Sequence, residues 1–124
     1  MDFTAEEVIS NLGLRALGDG AWERVMAAAG GAGASGVVSA YRLLTPGASH
    51  DWRAADAEEL WTAYLGAALE VELATEAGVR RETLTAGSGQ WATVPAGGWF
   101  RVRAVDEWCL AGRIGPVQGG GVLS

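Results

Sequence analysis

The sequence predicts an all-β barrel or sandwich entered through one short helix. Three observations carry this. Strand-like runs recur at regular spacing from Val37 onward, Gly or Pro punctuates the intervals between them, and a single N-terminal segment has helical periodicity. At 124 residues the chain is sized for one domain with one core and needs no disulfide staple. The expected boundaries are 1–117 for that domain and 118–124 for a Gly-rich tail that frays.

Taken in order, residues 4–12 form the helix. Thr4 with Glu7 three residues on makes a capping box, Val8, Ile9 and Leu12 supply an apolar stripe, and Gly13 stops it. GDGAWERV, residues 18–25, is a Gly-rich turn leading into a strand-like segment, and residues 27–36 are rich enough in Gly to predict a flexible loop. Strands follow at 37–44, 59–65, 68–75, 79–86, 90–95, 99–105 and 107–115. The turns between them include Thr45-Pro46-Gly47, Glu76-Ala77-Gly78, Gly87-Ser88-Gly89 and Gly97-Gly98.

Composition removes several classes of chemistry. The chain has no lysine, so Schiff-base and pyridoxal-lysine mechanisms are excluded. Its one cysteine, Cys109, forbids an internal disulfide and any cysteine-built metal cluster, and its one histidine, His50, forbids a site needing two imidazoles from one chain. A net charge of −6 argues against nucleic acid as a partner. The apolar runs are too short to span a bilayer, and acids stand where a signal peptide carries Lys or Arg; the expectation is a cytoplasmic protein without a membrane partner.

Two spacings carry the functional reading. The first is Gly47-x5-Arg53-x-Ala55-x3-Glu59-x6-Gly66 and the second Gly89-x5-Pro95-x-Gly97-x2-Phe100. Together they resemble the paired motifs of the cupin superfamily, in which the first runs Gly, His-x-His, Glu, Gly and the second Gly, Pro-x-Gly, His. A closer resemblance is to a small single-domain cupin subgroup of largely unassigned function. It is carried by Asn11-Leu12-Gly13-Leu14, by Asp19 to Arg24, by Leu43 to Gly47, by Glu58-Glu59-Leu60-Trp61 and by Val94 to Gly97. The resemblance implies a cupin jelly-roll β-barrel with a short N-terminal helix and an open mouth, and a homodimer.

The resemblance also shows where this chain departs from its family. Metal-dependent cupins hold a divalent ion with three imidazoles and one carboxylate. The corresponding positions here are Arg53, Ala55, Phe100 and Glu59, so only the carboxylate remains. A guanidinium brings a fixed positive charge and no lone pair, so no metal and no other cofactor is expected. His50 falls three residues before the first ligand position, out of register, and reads as a mouth residue: a general base or a solvated loop side chain.

In the cupin register Glu59, Trp61 and Ala63 share a face toward the lumen, with Phe100 and Val102 opposite and Arg53 meeting Glu59. That pair reads equally as a structural ion pair or as the working centre, with Glu59 as acid or base and Arg53 as clamp for a carboxylate or enolate. Trp22, Arg24, Tyr41, His50, Trp52, Trp61, Phe100 and Val102 are the candidate substrate-binding residues. Trp91 and Trp108 read as core or interface residues, Cys109 as core, Glu70 and Glu72 as a solvated strand face, Arg80 and Arg81 as a surface pair, and Arg101 and Arg103 as facing away from the lumen. The function expected is a metal-independent cyclase or isomerase of secondary metabolism acting on a small polyketide-like or sugar-like molecule. A non-catalytic small-molecule-binding cupin is the alternative, and a barrel filled by its own side chains a third possibility.

Overall fold

The computed structural model describes residues 3–18, 20–29, 36–46 and 52–116. The helix, α1 (Ala5–Leu12), begins as the sequence predicts: the Glu7 amide donates to Thr4 Oγ1 at 3.1 Å and the Thr4 amide to Glu7 Oε1 at 3.0 Å. Gly13 closes it in the left-handed region at φ 65°.

The strands are β1 (Arg15–Ala16), β2 (Ala21–Ala29), β3 (Val37–Leu44), β4 (Arg53–Ala54), β5 (Glu59–Gly66), β6 (Leu69–Thr75), β7 (Gly78–Leu84), β8 (Trp91–Val94), β9 (Trp99–Ala104) and β10 (Cys109–Pro116). They form two antiparallel sheets, β1-β2-β3-β10-β5-β8 and β4-β9-β6-β7. Packed face to face, these make the expected jelly roll. Two-residue β1 and β4 were not expected, being too short to leave a periodic signal. Strand β2 runs through Ala29, where the Gly-rich composition predicted loop; its alanines are held by pairing with Val37 to Ser39 of β3. Residues 30–35 and the Gly-rich tail at 118–124 lie outside the described residues.

Period-two alternation gives every long strand one face toward the barrel, and the six-stranded sheet a second apolar face beneath α1. The faces turned into the barrel supply Leu44, Trp61, Ala63, Leu69, Val71, Val94, Phe100, Val102, Cys109 and Ala111. On the other side of the six-stranded sheet Leu43 and Leu110 join Val8 and Leu14 in a smaller cluster beneath α1. One irregularity matters: Leu110 pairs with Leu65 and Ala111 with Ala63, so Tyr64 is an unpaired bulge residue in β5. The bulge turns Leu65 to the helix side, which is why the alternation along 59–65 breaks at that point.

The outer face of the four-stranded sheet corrects one expectation. Glu70 and Glu72 are not solvated but 7% and 3% exposed. Glu72 lies directly across from Arg81 and Arg101, which donate to it at 2.8 and 2.6 Å, and Arg103 opposite Glu70 donates at 2.6 Å. The arginines, half-exposed to exposed, lay their stems over the acids. Arg101 and Arg103 do face away from the lumen, as predicted. Cys109 is fully enclosed, and burial pushes its thiol up to about 12. Trp108 packs against the helix-side cluster, whereas Trp91 on edge strand β8 is exposed rather than core.

The turn after β5 depends on Gly66, at φ 89°, where an added Cβ would stand 2.9 Å from Trp108 Cε3. Changing Gly66→Ala therefore combines a left-handed backbone penalty with a clash. We expect a loss of more than about 1 kcal/mol, read as a melting temperature at least about 4 °C lower; an unshifted melt would contradict this account.

Candidate functional site

Two buried carboxylates, Glu23 and Glu59, face the barrel interior, and the candidate site is built around Glu59. Glu59 opens β5 on the inward face, paired across the ladder with Val94, and is fully enclosed. Strand β4, paired with β9 through Arg53 and Phe100, brings the Arg53 side chain over it. Arg53 Nη1 donates to Glu59 Oε2 and Nη2 to Oε1, both at 3.1 Å, a bidentate fork. Arg113, inward on β10, donates from Nε to Oε1 at 3.2 Å, and the Trp61 indole N–H donates to the same oxygen at 3.1 Å. Arg113 Nη2 also donates to the Pro116 carbonyl at 3.1 Å. Two guanidiniums thus share a single carboxylate.

Electrostatics fix the protonation of that carboxylate. Burial alone would raise the Glu59 pKa, but the Arg113 charge and the Arg53 hydrogen bonds and charge outweigh it and hold the group below the ordinary carboxylate range. Burial pulls the Arg113 guanidinium down, opposed by Glu59. The space for the pair is left by Gly115, whose added Cβ would stand 3.0 Å from Arg113 Nη2 and 3.0 Å from Glu59 Cγ.

The surroundings differ in openness. Glu59 and Trp61 are 0% exposed, and Phe100 and Arg113 1%, so the deep centre is packed. The Arg53 side chain is 36% exposed and lies over the Phe100 ring at 4.4 Å from its centroid. Trp61 tilts toward Phe100 at 6.5 Å, and the Arg42 guanidinium lies 5.6 Å from the Trp61 ring centroid. Arg42 in turn pairs with buried Glu23, its Nε donating at 2.9 Å.

Of the residues singled out from sequence, the structure brings together Arg53, Glu59, Trp61, Phe100 and Val102 on the barrel interior. Others it places elsewhere. Trp22, Arg24 and Tyr41 sit on strands β2 and β3 but one residue out of phase with the inward positions Glu23 and Arg42. Trp22 and Tyr41 therefore pack in the cluster under α1, and Arg24 donates from Nη1 to the Leu12 carbonyl at 3.0 Å, capping the helix. Trp52 stacks on Arg101, 4.9 Å from ring centroid to guanidinium, beside the acids of the outer sheet face. His50 lies outside the described residues. Sequence reading missed Arg113, Gly115 and the Glu23–Arg42 pair. The available signal for Arg113 was a lone Arg in phase with Cys109 and Ala111 on an otherwise apolar strand.

The residues present do not suit the divalent ion that cupin-type motifs imply. At the imidazole positions stand Arg53, a buried Ala55 and Phe100, and the one donor, Glu59, has its oxygens engaged by two guanidiniums and an indole N–H. A cation there would meet two fixed positive charges. Among the described residues no group of three His, Cys, Asp or Glu side chains is arranged to hold a metal.

The fold is shared with solved structures of low sequence identity. A protein from Shewanella oneidensis superimposes with a TM-score of 0.77 at 23% identity, covering 93% of this chain and 79% of that one. A hypothetical protein from Leishmania major gives 0.76 at 18%, covering 92% and 81%. An RmlC-like cupin from Shewanella frigidimarina gives 0.63 at 13%, covering 86% and 85%. No curated protein matches the chain. The family model described as Cupin superfamily (DUF985) matches residues 6–115, nearly the whole domain, and by that match the chain belongs to the cupin superfamily.

Proposed function

We propose that this cupin binds a small organic anion at its barrel without a resident metal, using Arg53 as the receiving cation. The observation that carries the proposal is the sharing of Glu59 by two guanidiniums, one of them partly open to solvent. One carboxylate offsets one positive charge; the second is left for a ligand such as a carboxylate or an enolate. Arg113 and Glu59 form the closed floor, and Arg53 above them can turn one edge of its fork outward. In this reading Glu59 positions the guanidiniums. With a depressed pKa and both oxygens occupied, it is a poor proton donor at neutral pH.

A second reading, turnover of the bound anion by a non-redox cyclase or isomerase, is favoured by the Arg53–Phe100 stack. A cation lying on an aromatic ring forms a flat, charged wall against which a planar enolate or a conjugated chain would be held in a reactive conformer. That chemistry asks for shape and charge and needs no free base, which matches the residues found.

Arg53→Ala should remain folded, because its side chain is partly exposed, yet lose saturable binding of small carboxylates measured by calorimetry. Equal binding by the variant would remove the proposal. Purified protein should carry no stoichiometric transition metal by elemental analysis; a full equivalent surviving chelation would overturn the argument from the donor set.

The Glu59 pKa gives a signed expectation. A carboxylate depressed in the folded state contributes stability that is present above its unfolded pKa and is lost as pH falls through the folded value. Unfolding free energy should therefore decline on the acid side, below the ordinary carboxylate range, and Glu59→Gln should flatten that part of the slope. At neutral pH the same variant leaves buried Arg113 unpaired and should cost about 3–5 kcal/mol in denaturant titration. A neutral effect would mean that the pair does not organise the barrel.

A further inference from the structure

The six-stranded sheet carries a cavity on its outer side, away from the barrel interior and between the sheet and α1. Its volume is about 370 Å³, within the range of small-molecule pockets. Phe3, Val8, Leu12, Leu65 and Leu110 supply apolar wall, Asn11, Tyr41 and Tyr64 complete a mostly apolar lining, and among the described residues no charged side chain lines it. We propose that this pocket binds an uncharged, ring-sized organic molecule carrying a hydroxyl or carbonyl group.

The polar edge is constructed by the fold. Both tyrosines of the chain meet there, with ring centroids 5.7 Å apart and the rings edge to face. Tyr64 reaches that position because it is the unpaired bulge residue of β5 and because the neighbouring strand offers it Gly112. A Cβ on Gly112 would stand 2.7 Å from Tyr64 Oη, so the glycine leaves the seat in which the phenol lies. Gly112 in turn pairs across the ladder with Tyr41. Bulge, glycine and second tyrosine together place two phenol rings beside the aliphatic wall.

Those polar groups are not spent on the protein. Among the described residues no side-chain hydrogen bond engages the Tyr41 hydroxyl, the Tyr64 hydroxyl or the Asn11 carboxamide. Burial, and then Tyr41, raise the Tyr64 phenol above its ordinary value. Apolar walls reward ring burial, neutral donors and acceptors fix orientation, and the absence of a lining charge selects against ions. The barrel centre has the opposite character, so the two places take different ligands, and this proposal does not rest on the function assigned to Arg53.

The test is a titration with 1-naphthol followed by amide chemical shifts in the intact protein. One-site saturation is expected, with the largest shifts at Val8, Asn11, Leu65 and Leu110. The double variant Tyr41→Phe, Tyr64→Phe keeps both rings and should weaken binding at least about fivefold through loss of the hydroxyls. Absence of saturation up to the solubility of the probe would overturn the proposal, as would shifts centred on Trp61 and Phe100 or unchanged affinity in the double variant. A stable dimer in solution whose contact surface covers Tyr64 would also overturn it, because the pocket would then belong to a second copy of the chain.

Discussion

The interior of this barrel is organised by one buried carboxylate held between two arginines. Isolated, Glu59 would be expensive to enclose and would take up a proton. Arg53 and Arg113 make its charge tolerable, and Trp61 completes the set of donors around its oxygens. Each neighbour follows from that constraint. Gly115 is small because the pair needs the volume, Phe100 can lie under a guanidinium, and Trp61 is oriented by its N–H as much as by its packing. At the positions where cupin-type motifs carry imidazoles and a carboxylate, this chain has an ion-centred network instead.

The replacement changes what the centre can do. A coordinated ion polarises a bound oxygen and can leave an open position for substrate. A carboxylate locked in a bidentate fork does neither. What stands at its open side is the charge of Arg53, partly exposed and lying on the Phe100 ring. Below Arg53 the floor of Glu59, Trp61, Phe100 and Arg113 is packed, so the deep lumen expected to hold substrate against Trp61 and Phe100 is filled by their own side chains. Five of the six tryptophans, Trp22, Trp52, Trp91, Trp99 and Trp108, lie outside the barrel interior, and Trp61 lies within it.

The two sheets also illustrate how charge is managed outside the barrel. On the four-stranded sheet, acids and arginines stand directly opposite one another on three adjacent strands, and the acids are covered by the aliphatic stems of their partners. A strand alternating Glu with Leu or Val therefore does not imply a wet face. Which face is wet depends on what stands on the next strand, and Arg101 and Arg103 arrive there from 29 and 33 residues away.

Local sequence determined most of the strands and the capped helix, because alternation along a strand and capping at a helix end act over a few residues; the inward phase of Glu59, Trp61, Phe100 and Val102 followed from the cupin resemblance. It also shows that positions 53, 55 and 100 bring no imidazole. Tertiary structure decided the rest. The phase of β2 and β3, set by pairing and by the packing of α1, sent Trp22, Arg24 and Tyr41 to the helix side and Glu23 and Arg42 inward. The second arginine of the centre comes from β10, 54 residues from Glu59, and the bulge that seats Tyr64 on Gly112 exists only once β5 and β10 pair. Such contacts are long-range in sequence, so no local pattern encodes them; the register of the assembled sheet does.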